Sequence, residues 1–273
     1  MRFAYVPLKL VHDALLLPCW KPYSFLSASK DVVPNDNVEK LFAQAESLRR
    51  FERVDEAIDA YNKVLDIAPN HVEALIKLGH LLIVKMRYKE ARRAFWRAVA
   101  NDTENPASYY GLGSVLRRMG HYDEASAAYN QALTLRPDYA DAIAGLGTIS
   151  LEMGNLADAR TAFAKAMSLQ PDNVANLYML AFASEVHKSD PVFANLKDLL
   201  AKEPSMPSQS RERLHFALAK AYEETGEREQ AFRHQLQGNA IRRARVRYDE
   251  RAWLTRFEQI RHADFENAAT LVD

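Results

Sequence analysis

A spacing of 34 residues recurs along this chain and leaves few folds open to it. Val38, Val72, Pro106, Ala140 and Val174 open successive units, each start 34 residues after the last. Position eight of the unit is always small, reading Ala45, Gly79, Gly113, Gly147 and Ala181. Position 20 reads Ala57, Ala91, Ala125 and Ala159, and position 24 is aromatic at Tyr61, Phe95, Tyr129 and Phe163. Position 32 gives Pro69, Thr103, Pro137 and Pro171. A period of this length marks a stacked array of supersecondary units, because one unit cannot bury its apolar face alone.

Each unit reads as two antiparallel helices. In the third, the pattern predicts a first helix over 106–119 and a second over 122–135. Pro106 suits a first helical turn, Gly120 a helix stop, and Asp123 with Glu124 the positive end of the next helix dipole. Gly113 is expected to let the backbones approach across from Ala125, with Tyr129 and Ala132 facing the following unit. Past Val174 the pattern loosens at Lys188-Ser189-Asp190-Pro191, a short helix is expected over 192–202, and a sixth unit restarts at Glu212. Residues 1–37 are expected to form a poorly ordered or loosely docked extension, residues 38–248 the repeat array, and residues 249–273 a capping helix, over roughly 250–262, with a tail.

Small, aromatic and proline residues in these places resemble the tetratricopeptide-repeat family. The resemblance implies an all-α, right-handed superhelical solenoid of stacked helix pairs, closed by a C-terminal capping helix. It also implies that positions two, five, nine, 12 and 13 of each first helix line a concave groove. In that register position five reads Phe42, Ile76, Tyr110, Ala144, Tyr178 and Phe216, and position nine reads Glu46, His80, Ser114, Thr148, Phe182 and Lys220. Positions 12 and 13 add Arg49-Arg50, Arg117-Arg118 and Glu223-Glu224. The candidate contacts are therefore Phe42, Arg49, Arg50, Ile76, His80, Tyr110, Ser114, Arg117, Arg118, Thr148, Tyr178, Phe182, Phe216 and Lys220. Aromatic rings bury large area at low entropy cost and arginine grips carboxylates with paired hydrogen bonds, so the mixture suits a peptide or protein segment. The same side chains could equally pack against neighbouring helices. The lysine and asparagine of the family's carboxylate clamp, and the asparagine ladder of its sugar-transferase branch, are both missing at their positions.

Little else in the chain points to chemistry. The nine glycines all fall on repeat positions or helix stops, so a phosphate-cradling loop has no residues to draw on. The eight histidines show no metal-hydrolase spacing, and no nucleophile elbow is present. Lysine plus arginine equals aspartate plus glutamate at 36 each, which disfavours nucleic acid as a partner. Cys19 is the only cysteine, which excludes an internal disulfide and fits a reducing, cytoplasmic setting. The apolar stretch 14–20 is interrupted by Pro18 and is too short to span a membrane. The expectation is a non-enzymatic scaffold with no cofactor and no metal.

A narrower resemblance covers roughly residues 190–260. Leu214-His215-Phe216-Ala217-Leu218-Ala219-Lys220-Ala221-Tyr222, then Gly238-Asn239, Arg242-Arg243 and Tyr248-Asp249, resemble the end of the repeat region in bacterial proteins that join such repeats to a sulfotransferase domain. The resemblance implies a partner domain opening on a Pro-Arg-Ser-Gly-Thr-type loop, a motif absent from this sequence. On that alternative the chain is a substrate-positioning or regulatory half. The arginines 242, 243, 245, 247 and 251 then have three readings: a solvated helix face, a dock for such a domain, or an anion patch.

Overall fold

The computed structural model describes residues 35–245 together with Leu254 and Thr255. They form twelve α-helices and, among the described residues, no strand. The pairs are α1 (Asn35–Arg50) with α2 (Val54–Ile67), α3 (Val72–Val84) with α4 (Tyr88–Asn101), and α5 (Pro106–Arg118) with α6 (Tyr122–Leu135). Then come α7 (Ala140–Glu152) with α8 (Leu156–Leu169), α9 (Val174–Ala183) with α10 (Pro191–Leu200), and α11 (Ser208–Glu224) with α12 (Arg228–Arg245). The expected N-terminal extension up to residue 34, and the expected cap over 250–262 apart from Leu254 and Thr255, lie outside the described residues.

Local chemistry sets the helix starts. Asn105 caps α5 by accepting from the Ala107 amide at 3.0 Å, with Pro106 in the first turn where its missing N–H costs nothing. Asn173 does the same for α9, accepting from the amides of Ala175 and Asn176. The turn between the two helices of a unit needs a left-handed residue at position 15. Gly120 (φ 80°) and Gly154 (φ 82°) supply it in the third and fourth units, while Glu52 (φ 57°) and Met86 (φ 58°) take the same conformation in the first two. Sequence alone identified only the glycines.

The units are locked together by the aromatic ring at position 24. Phe95 is fully buried between Gly79 of its own unit and Gly111 of the next; a Cβ on either glycine would lie 2.6 or 2.0 Å from a ring carbon. Tyr129 repeats the arrangement between Gly113 and Gly145, at 2.8 and 2.6 Å. This corrects the pairing of Gly113 with Ala125: the space left by the glycine is filled by the Tyr129 ring. The expectation that Tyr129 reaches the following unit holds, since Gly145 belongs to α7. Burying such a ring contributes roughly 1.5–3 kcal/mol, and the contact requires two first helices to approach the same side chain.

From α3 onward the first helices of successive units pack directly on one another (α3 on α5, α5 on α7, α7 on α9, α9 on α11). Second helices of successive units touch at most marginally among the described residues. The stack therefore curves with its first helices inside.

The end of the stack uses different fastenings. α9 stops at Ala183, and the chain that follows is tied to α11: Lys220 Nζ donates to the Ser184 carbonyl at 2.8 Å and the Val186 amide donates to Glu224 at 2.9 Å. α11 and α12 are joined by the buried carboxylate of Glu212, which accepts from Arg242 and Arg245, each at 2.8 Å. Burial opposes ionisation of Glu212, and its hydrogen bonds to the two arginines more than offset it, so its pKa is lowered. Arg242 also lies 4.5 Å over the Phe216 ring, which Gly238 approaches so closely that a Cβ would meet it at 2.9 Å. Gly238 and Arg242, prominent in the narrower resemblance, thus both serve packing within this helix pair. His215 and His234 face each other, buried, with their Nδ1 atoms 2.9 Å apart, and Tyr222 stacks on His234.

Two stability measurements test this account. Gly111→Ala should destabilise the fold by about 1–3 kcal/mol through overpacking, and more than Gly147→Ala, whose added Cβ would meet nothing closer than 3.0 Å. Met86→Gly should stabilise: relief of a left-handed non-glycine residue is worth roughly 1–2 kcal/mol, against roughly 0.4–1 kcal/mol for a freer unfolded chain. Denaturant midpoints of the three variants against the parent decide both points.

Candidate functional site

The inner face formed by the first helices carries most of the residues singled out in the sequence, and its chemistry changes from end to end. At the first unit Phe42 is half-buried, stacked on His71 with ring centroids 5.0 Å apart and edge-on to Tyr61 at 5.8 Å. Arg49 makes a two-pronged contact with Glu46, Nε to Oε1 at 3.1 Å and a terminal nitrogen to Oε2 at 2.8 Å. The Tyr61 hydroxyl donates to the same carboxylate. The Arg49 hydrogen bond, with help from Tyr61, holds the Glu46 pKa down to about 2 against the opposing effect of burial. Arg49 is therefore a fixed member of the framework, and Arg50 beside it is exposed.

Ile76 does not reach the face. It is 8% exposed and sits in the hydrophobic core, which corrects its assignment as a groove contact: here position five points between helices. His80 is half-buried, edge-on to Phe95 at 5.1 Å and 6.2 Å from the Tyr110 ring. Burial, helped by the charges of Lys77 and Arg49, lowers its pKa to about 4, so the imidazole is neutral at pH 7.

Tyr110 is the centre of the aromatic surface, 5.9 Å from Tyr129 and 5.2 Å from Tyr139. Ser114 donates to the Tyr110 carbonyl at 2.9 Å and accepts from the Tyr129 hydroxyl at 3.3 Å, and Thr148 likewise bonds its own helix at Ala144. Both hydroxyls are thus engaged within the solenoid. Arg117 is paired to Glu152 of the next unit at 2.6 Å, while Arg118 is exposed.

Four of the expected residues converge at the far end. Tyr178 and Phe182 lie 4.6 Å apart, and with Phe216 and Lys220 they line a hollow of about 450 Å³. Glu223, Gln235 and Arg242 complete its wall, the last two contributed by α12. Phe182 is 46% exposed. Lys220 is committed to Ser184 and to Glu224, the latter at 2.6 Å.

Sequence reasoning missed Asp141, Tyr139, Gln235 and the placement of Arg242. Asp141 occupies position two of the fourth unit, in the same register as positions five and nine, so the signal was present and unread. Among the described residues no group of three or more histidines, cysteines or carboxylates is placed to hold a metal ion, and no helix is long and apolar enough to cross a membrane.

The profile of the tetratricopeptide repeat matches residues 48–116 and 116–181, the stretch in which the ring-and-glycine contacts recur. Residues 48–181 are tetratricopeptide repeats. Among solved structures the repeat array is similar to PilW, a type IV pilus biogenesis factor, with a TM-score of 0.57, 16% identity, and coverage of 76% of this chain and 94% of that one. It is similar to PilF of Pseudomonas aeruginosa with a TM-score of 0.55, 24% identity, and coverage of 74% and 90%. MamA matches at 25% identity over 75% of this chain and 97% of that one, with a TM-score of 0.43. These likenesses are likenesses of fold. No curated protein matches the sequence.

The buried histidines give the tetratricopeptide array a pH dependence with a definite sign. His80 and His234 have pKa values lowered by burial from 6.5 to about 4, so the unfolded chain takes up their protons first. Stability is then fully present above about pH 6.5 and falls as pH drops toward 4. The thermal midpoint should decrease between pH 7 and pH 5, and the combined variant His80→Gln, His234→Gln should flatten that dependence. An equal slope in parent and variant would refute the assignment.

Proposed function

We propose that the concave face of this solenoid holds a segment of another protein, and that its work is holding rather than catalysis. The observation that carries the proposal is the hollow between α9, α11 and α12. There the Tyr178 and Phe182 pair faces a space of about 450 Å³, and Phe182 remains 46% exposed where the position-24 rings Tyr61, Phe95, Tyr129 and Phe163 are buried. An amphipathic side chain of a guest fills such a space at small entropic cost, since the walls are already fixed by the pairs of Lys220 with Glu224 and Arg242 with Glu212. Tyr110 and Phe42 extend an aromatic surface toward the other end of the same face. Arg49 and Arg117 serve it indirectly, by fixing the helices that carry these rings.

The test is affinity capture from the native source with the purified protein and with Tyr178→Ser, Phe182→Ser. Both residues lie at the rim of the hollow, so the variant should keep its helical circular dichroism and lose the captured partners. Recovery of the same partners at the same yield by a folded variant would remove the hollow from the binding surface.

A further inference from the structure

Most cations on the inner face are already matched. Arg49 is held by Glu46, Lys77 lies 3.8 Å from Glu73, Arg117 is held by Glu152, Lys220 by Glu224, and Arg242 by Glu212. The exceptions are Arg213, at position two of the sixth unit, and Arg50 and Arg118, the exposed last residues of α1 and α5, where the negative end of the helix dipole favours a cation.

Two carboxylates of the face are without such a partner. Among the described residues no cation lies within 4.0 Å of Asp141 or of Glu223, yet each stands beside a group of aromatic rings. Asp141 lies half-buried in the first turn of α7, two residues past Tyr139, whose ring is 5.2 Å from that of Tyr110; burial raises the pKa of both tyrosines and the charge of Asp141 adds to it. Burial raises its own pKa, and the only cation felt by it, Arg136, offsets this from beyond ion-pair distance. That guanidinium is instead 3.5 Å from the centroid of the Tyr139 ring, so a ring of this group already accepts a cation on its face. Glu223 repeats the combination in the hollow, with Tyr178, Phe182 and Phe216 as its aromatic walls. Of the cations near that wall, Lys220 pairs with Glu224 while Arg242 shares Glu212 with Arg245, so Glu223 has no ion-pair partner of its own.

A carboxylate beside ring faces is the combination that selects a lysine or arginine side chain: the head group gains a charge-assisted hydrogen bond and the rings attract the cation. We propose that the concave face recognises a basic protein segment, with one lysine or arginine against Asp141 beside Tyr110 and Tyr139, and a second against Glu223 in the hollow. This rests on the reading of the face as a segment-binding surface and names the chemistry of the segment. The bound segment is thus distinguished from the acidic C-terminal peptides that a cationic groove would take.

The experiment is selection of binders from a random twelve-residue peptide library on the immobilised protein, followed by affinity measurement of the selected peptides. The expected result is enrichment in lysine and arginine. Binding of those peptides should weaken about tenfold in Asp141→Asn and in Glu223→Gln, both isosteric changes whose folding is checked by thermal melts, and should weaken further with added salt. Selected peptides that are neutral or acidic, or basic peptides that bind both variants as well as the parent, would overturn the inference while leaving segment binding intact. Failure to select any peptide would overturn both.

Discussion

The contact on which the rest of this molecule depends is a ring wedged between two glycines. Phe95 and Tyr129 each fill the space that a missing Cβ leaves on two successive first helices. One side chain thereby draws neighbouring first helices together, while second helices stay apart. Curvature follows from that inequality, and the inner face follows from the curvature. In the fourth unit Phe163 still meets Gly147, but position six of the fifth unit is Met179, and no glycine completes the wedge. The regular stacking gives out where its central contact does, and ion pairs and hydrogen bonds of α11 and α12 take over.

The electrostatics of the inner face follow a similar division of labour. Two of the four arginines that look in sequence like ligands for an acidic guest are bound to glutamates, Arg49 to Glu46 of its own helix and Arg117 to Glu152 of the next first helix. Partly buried pairs of this kind fix the position of a helix more than they add net stability, because desolvation consumes much of the attraction. What the pairing leaves over is aromatic surface, the carboxylates of Asp141 and Glu223, and the side chains of Arg50, Arg118 and Arg213. A guest that met the face through Arg49 or Arg117 would first have to break contacts the solenoid needs.

Much of the fold could be read from residue types at fixed spacing, because each type answers a local steric demand. The bounds of α6 and the start of α5 fall where the pattern put them. Features that depend on pairs distant in sequence were harder to read. Gly113 is small on account of Tyr129 and not Ala125, which periodicity cannot distinguish since both recur with the same period. Glu52 and Met86 hold left-handed turns that the chain imposes from either side, against their own preference. Ile76 and Tyr110 share position five, yet one is core and the other lies within an aromatic surface. Which of them faces outward depends on the volumes packed around each, and position alone carries no such information.

The irregularity of the fifth unit is also what opens its hollow. α9 has 10 residues where the three preceding first helices have 13, and its last turn ends one residue past Phe182. The chain then leaves the helix axis at Ser184, whose carbonyl is taken up by Lys220, and the neighbouring amide of Val186 is taken up by Glu224. Both polar groups would otherwise be unsatisfied beside an apolar wall. The same two interactions turn Lys220 and Glu224 toward the loop, so Phe182 has no further helical turn to cover it and Glu223 no lysine to neutralise it. A regular repeat in this place would have extended α9 across that ring. The loss of periodicity after Val174 thus creates the exposed aromatic pair and the unmatched carboxylate together, on a scaffold whose first four units are rigid enough to present them.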